Sequence, residues 1–414
     1  MKRSAARILY GLILFAAAAG TARGELAVRT DFENASAVVV GIEQDSGLIQ
    51  IQPAGDPERG WPCWWSFQVD GIKPGRTLTI EVDRAPGNLA ASWAQPGYAA
   101  YSIDHGRTWL QTAPGTAQDG RKRYTAKIDA KSAWFAWGPV FDTADARELV
   151  ERIAARHPFA KPLELAKSRA GRGVPMLVVD ERSAGDAPEE RFGIWIQARQ
   201  HAWESGGSWV GVGFIEWLTG DDPRAVALRR KAVVYFVPVM DVDSVATGNG
   251  GKNQVPQDHN RDWSAEPHFP EVVAAQKRIT ELDKAGRFDL FVDLHNPAPG
   301  DLRPFFFVSP DEVLSPPGRR NLAAFVAAGK EEIVGPLPLS PTTRPSGAAY
   351  SPQWQAISKN WVTTHCRPHV VAVTLETSWN TPHSTTAGYT TVGRQLGLAI
   401  EKYLRTSPRA VAAP

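Results

Sequence analysis

The hydrophobic pattern changes character near residue 145, and that change limits the possible folds more than any other feature of the chain. From Glu25 to Val140 the apolar residues come in short alternating runs: SAVVVGI (Ser36 to Ile42), LIQIQ (Leu48 to Gln52), TLTIEV (Thr77 to Val82) and RYTAKI (Arg123 to Ile128). Pro, Gly and Asp clusters separate them, which is the texture of an all-β sandwich. A helical pattern opens at ARELVERIAARH (Ala146 to His157), and strands and helices alternate from there on. Such alternation predicts an α/β domain with a mixed, mostly parallel sheet flanked by helices. With 414 residues the chain also exceeds what one core accommodates, about 250–300 residues. The expected organisation is a leading segment at 1–24, a smaller β-sandwich domain at 25–142 and an α/β domain at 143–408.

Residues 1–24 read as a secretory signal. Lys2, Arg3 and Arg7 form a basic region, Ile8 to Ala19 an apolar stretch of 12, and Gly20-Thr21-Ala22 a small-residue cleavage site. Twelve apolar residues fall short of the roughly 20 that span a bilayer, so no membrane span is expected once the signal is removed. The mature protein is expected in the periplasm or outside the cell. A net charge of +2, from 46 basic and 44 acidic residues, offers no footprint for nucleic acid, which is not expected as a partner. Export permits disulfides, but Cys63 and Cys366 are the whole supply; two free thiols or a single bridge between them are both open.

Two front-domain motifs stand out. SIDHGRTW (Ser102 to Trp109) has the S-x-D-x-G-x-T-W form of an Asp-box hairpin, and because it occurs once it predicts a single hairpin rather than a propeller. In it Asp104 and Gly106 shape the turn and Trp109 packs beneath. The cluster GWPCWWSF (Gly60 to Phe67) reads as interdomain and core packing, with a carbohydrate platform as the other reading.

The chemistry collects at strand ends, where an open parallel sheet places its crevice. A strand from Phe192 to Ala198 leads to His201-x-x-Glu204 at the start of a helix, and a buried strand from Phe288 to Leu294 ends in His295. Two imidazoles and a carboxylate form a three-ligand set of the kind that holds catalytic zinc, with a fourth position left for water. A solvated helix start and a satisfied strand-end histidine are the plainer readings of these residues taken singly. A third strand, Val370 to Leu375, delivers Glu376 to the same edge, where it can serve as general base or cap a loop. After a strand from Val233 to Val239, a polar loop leads to Asn260-Arg261, an amide and a guanidinium able to grip a carboxylate.

With these four elements in order, the sequence resembles the zinc carboxypeptidases, metallopeptidase family M14, from about Glu148 to Leu404. The β-rich front domain makes it most similar to the cytosolic carboxypeptidase subgroup. The resemblance implies one Zn²⁺ per chain held by His201, Glu204 and His295, and a terminal carboxylate held by Asn260 and Arg261. It gives Glu376 the role of general base and then acid. The implied partner is a peptide or peptide-like substrate with a free C-terminal carboxylate. Two positions depart from the family pattern. The arginine that polarises the scissile carbonyl has no match before Asn260, where Lys252 is the nearest cation, and the substrate-gating tyrosine has only Tyr350 as a stand-in. A zinc amidase acting on cell-wall peptides or N-acyl amino acids is an alternative, as is a catalytically silent glycan- or peptide-binding protein. Arg344 and Lys359, in the Pro341 to Arg367 segment expected to form the specificity pocket, read as solvated.

Overall fold

The computed structural model describes residues 24–56, 58–182 and 191–409. The secretory segment therefore lies, apart from Gly24, outside the described residues. The front of the chain forms two five-stranded sheets. One is antiparallel throughout, in the order Ala27–Arg29, Ser66–Asp70, Ser132–Ala136, Ala100–Ser102 and Leu110–Gln111. The other runs Val38–Glu43, Leu48–Gln52, Arg76–Val82, Arg121–Ile128 and Thr116–Gln118, with one parallel pair between Leu48–Gln52 and Arg76–Val82. Alternate residues point inward, as period-two patterning requires, so that Ile49, Ile51, Leu78 and Ile80 share a buried core with Trp65, Phe67, Val69 and Phe135.

The single Asp-box hairpin joins Ala100–Ser102 to Leu110–Gln111. Asp104 accepts from the Thr108 backbone N–H at 2.9 Å and from its hydroxyl at 2.6 Å, while Gly106 takes φ 79° and Trp109 is buried. Most of the tryptophan-rich cluster is packing: Cys63, Trp64, Trp65 and Phe67 are buried, whereas Trp61 is half-buried. Both cysteines are free.

Asp142 caps the helix Thr143–Arg156 through a reciprocal capping box with Asp145. Beyond it lies one eight-stranded sheet, ordered Ala160–Lys167, Gly173–Val179, Ala232–Val237, Phe192–Ala198, Leu290–His295, Val371–Glu376, Phe305–Val308, Arg344–Pro345. The four strands from Ala232–Val237 to Val371–Glu376 are mutually parallel. All six residues of Leu290–His295 and of Val371–Glu376 are buried, because helices cover both faces of the sheet. Helices Ser205–Thr219 and Thr386–Leu404 pack together at very close range. A Cβ on Gly213 would lie 2.0 Å from the Thr390 carbonyl oxygen, and one on Gly393 would lie 1.9 Å from that of Val210. Gly207 performs the same service against Leu294, pressing the start of helix Ser205–Thr219 onto the strand that ends in His295. Among the described residues no helix is long and apolar enough to cross a membrane.

Candidate metal centre and substrate cavity

The chain turns at Arg199, which has φ 63°, and carries His201 and Glu204 into the first turn before helix Ser205–Thr219. Glu204 occupies the N-cap position of that helix, but its side chain makes no capping bond. The carboxylate faces two imidazoles instead: Oε1 lies 2.8 Å from His201 Nδ1 and Oε2 lies 2.6 Å from His295 Nδ1. The three residues are buried, and one ligand atom from each lies within 4.8 Å of the others. The far nitrogen of each ring meets its own acidic partner, His201 Nε2 with Asp258 Oδ1 and His295 Nε2 with Asp293 Oδ2, both at 3.1 Å. Each histidine thus has Nδ1 turned to the common point and Nε2 anchored to a carboxylate, the arrangement that fixes ring orientation and raises ligand basicity.

Burial alone would raise the Glu204 carboxyl, yet His201 and His295 overcome it and hold the group well below the usual carboxylate range. Burial likewise opposes charge on Asp258, and His201 together with Lys252 drives it well below its ordinary value. His295 goes the other way: burial disfavours the imidazolium, but Asp293 and Glu204 push the ring well above its usual value. Four buried carboxylates, those of Glu204, Asp258, Asp293 and Glu376, therefore surround two imidazoles. Such an excess of negative charge, with nitrogen and oxygen donors converging, fits a divalent cation, and the mixed donor set suits zinc rather than the all-oxygen cages of Mg²⁺ or Ca²⁺. His201, Glu204 and His295 are the zinc-binding triad. Asp258→Asn is expected to weaken zinc binding by about 10–100-fold without loss of any direct ligand; competition against a chelator of known affinity measures it, and parental affinity in the variant would dismiss the anchoring role.

Glu376 is carried beside the triad by strand pairing, in register with His295. It is buried, and its Oε2 has no hydrogen-bond partner among the described residues. Burial pushes its carboxyl up to about 8, with Glu204 and Asp293 adding to the rise and His295 and Lys252 opposing it. The His259–Arg261 turn is organised by Asp258, whose side chain accepts from the Asn260 backbone N–H at 3.0 Å. Asn260 Nδ2 lies 3.2 Å from His295 Nε2. Arg261 donates from Nη1 to the Asn260 carbonyl at 2.8 Å and from Nε to Ser351 Oγ at 3.2 Å. No carboxylate pairs with it among the described residues.

His201, Glu204, His295, Glu376, Asn260 and Arg261 line one cavity of about 310 Å³. Lys252 and Tyr350 line it too. Lys252 Nζ lies 3.3 Å from His201 Nε2 and 5.3 Å from the Trp61 ring centroid. Tyr350 is 47% exposed, with its ring 5.7 Å from the Arg261 guanidinium, so it stands at the mouth beside Arg261. Arg344 is exposed as expected and pairs with Asp301 at 2.6 Å. The expectation for Lys359 is overturned. Its ammonium is fully buried in the cavity wall, donating to Ser346 Oγ at 2.6 Å and Asn360 Oδ1 at 2.5 Å, and burial assisted by Arg261 holds it well below its ordinary value.

Sequence reasoning passed over Asp258, Asp293 and the cavity role of Trp61, Trp93 and Trp203. For Asp293 a signal existed: two residues before His295 on a strand places both on one face.

A family model described as zinc carboxypeptidase, Peptidase_M14, matches residues 146–282, a span that includes His201, Glu204, Asn260 and Arg261. An uncharacterized protein of Zymomonas mobilis is 28% identical over 260 residues, covering 61% of this chain and 63% of that protein. Cytosolic carboxypeptidase 1 of Danio rerio is 30% identical over 142 residues, covering 32% of this chain and 12% of that protein. The chain thus spans less than two thirds of the length of either relative. A solved metallo-carboxypeptidase from Burkholderia cenocepacia shares the fold, with a TM-score of 0.78 at 21% identity over 92% of this chain and 100% of that one. A matching family model, similarity to carboxypeptidases and an intact His-Glu-His triad converge: residues 146–282 match the M14 family of zinc carboxypeptidases, and the zinc-binding triad typical of that family is in place.

Proposed function

We propose that this protein is an exopeptidase that hydrolyses the C-terminal amide bond of peptides. The observation that carries the reading is the shared cavity: the zinc triad, a Glu376 carboxylate oxygen without a hydrogen-bond partner and an Arg261 guanidinium without a carboxylate partner, both among the described residues, all face it. Bound zinc would polarise the scissile carbonyl and acidify a water. Arg261 and Asn260 hold the terminal carboxylate, which sets the last peptide bond, and no other, beside the triad. Glu376, set beside the triad by strand pairing in register with His295, takes a proton from the attacking water and passes it to the departing amine. Lys252 is the cation available to steady the developing oxyanion, as a point charge rather than a two-pronged donor. Tyr350 closes the mouth over the carboxylate end.

The test is a mass-spectrometric screen of the zinc-loaded protein against peptides that differ only at the C-terminal residue. Loss of single terminal residues is the expected result, and cleavage inside the peptides would overturn the reading. We propose in addition that the protein acts after export, supported by the basic, apolar and small-residue order of residues 2–22. The mature chain should then begin at Arg23, and a cell-retained protein with an intact N-terminus would contradict this.

A further inference from the structure

The cavity has two unlike walls. On one, Tyr350 lies 4.9 Å from Phe307 and beside Arg261, and Arg344 stacks 3.7 Å over Phe305. On the other, Trp61 meets Trp93 edge-to-face at 4.6 Å, and Trp93 meets Trp203 at 5.8 Å. Ring contacts join the tryptophans to one another and the Tyr350 set to itself; among the described residues none joins the two sets. The triad touches both sides: Lys252 lies near both His201 and the Trp61 ring, while Asn260, next to Arg261 on the Tyr350 side, lies 3.2 Å from His295. Trp61 and Trp93 come from the front domain, so the second wall exists only because that domain is docked.

Resting on the exopeptidase reading, the direction of the substrate follows. A terminal carboxylate at Arg261 places the departing residue against the Tyr350 wall, and a scissile carbonyl at the triad sends the rest of the peptide past the tryptophans. We propose that Trp61 and Trp93 form the subsite for the side chain immediately upstream of the scissile bond, and that this subsite selects an aromatic or branched apolar residue. The two ring planes meet at 64°, which makes a corner rather than a flat platform. A corner of ring faces encloses an aromatic or branched side chain, in the edge-to-face and offset contacts such rings prefer. A sugar would need an open face with carboxylate or amide groups around it, and from this wall the front domain presents only ring carbon and indole to the cavity.

The experiment compares kcat/KM for N-acetylated peptides identical at the C-terminal residue and carrying Phe, Leu or Gly just before it. The parent should favour Phe and Leu over Gly by at least about tenfold, the scale of one apolar pocket contact. Trp61→Ala and Trp93→Ala should each reduce that ratio toward one while leaving the order of preference among C-terminal residues as in the parent. Equal parental rates for the three peptides overturn the subsite without any appeal to a variant, as does a ratio that survives in both variants once a melting scan shows them folded. Should the protein cleave none of the three, the exopeptidase reading fails, and calorimetric binding of the same peptides judges the subsite by itself. Tighter binding of Phe than Gly that Trp61→Ala abolishes would uphold it, and equal binding would end it.

Discussion

Glu376→Gln is expected to lower kcat by about 10²–10⁴-fold, the usual worth of a positioned acid–base group, while zinc content and melting temperature stay at parental values. Glutamine keeps the size and hydrogen-bonding reach of the side chain and removes its basicity. The fold should not suffer, because Glu376 gives up little: Oε2 has no hydrogen-bond partner among the described residues, and neighbouring Glu204 and Asp293 disfavour its charge. KM should change much less than kcat if proton transfer belongs to the limiting step. A loop anchor predicts the reverse, a lower melting temperature with near-parental turnover in the molecules that remain folded. Zinc content, melting temperature and kcat taken from one preparation separate the two, and normal values of all three would remove Glu376 from the mechanism.

Arg261→Ala should cost about 2–5 kcal/mol in kcat/KM on peptides with a free C-terminus, the scale of losing a buried charged partner. That is on the order of 30- to 5,000-fold. Two of its hydrogen bonds are spent inside the protein, on the Asn260 carbonyl and Ser351, and they aim the rest of the guanidinium at the cavity. Peptides amidated at the C-terminus lack the anion and should be poor substrates of the parent already, with little further loss in the variant. Equal parental cleavage of amidated and free peptides would refute carboxylate recognition.

The four parallel strands were legible because burial on both faces leaves continuous apolar runs, and the strand-end rule then pointed to His295 and Glu376. Their ends shifted by a residue or two: the strand read as Phe288 to Leu294 is Leu290–His295, since pairing with neighbours rather than local propensity sets where a ladder stops. The ligands could be read because two histidines and a glutamate fall at a helix start and a strand end, the places where a parallel sheet opens its crevice. Lys359 could not. Nothing in SPQWQAISKN says that Ser346 and Asn360 will meet its ammonium within a wall, and an isolated lysine is ordinarily solvated. The tryptophan cluster was read correctly as packing for Trp64 and Trp65. Trp61 escaped because its neighbours Trp93 and Lys252 come from distant segments.

The front domain also grips the loop that carries Lys252: Arg59 donates to the carbonyls of Asn253 and Gln254 at 3.1 and 2.8 Å, and Asp56 accepts from the Gly250 N–H at 2.6 Å. Trp203 and Trp379, which follow His201 and Glu376 in sequence, are in turn sunk into the front domain's own core. The order of synthesis then acquires a meaning. Trp61 and Arg59 emerge early and Glu376 near the end, so neither half of the chain can assemble a working cavity while the other is still being made. A cavity built this way is incomplete in a nascent or partly folded chain, and its lining is assembled only when the early and late segments have docked.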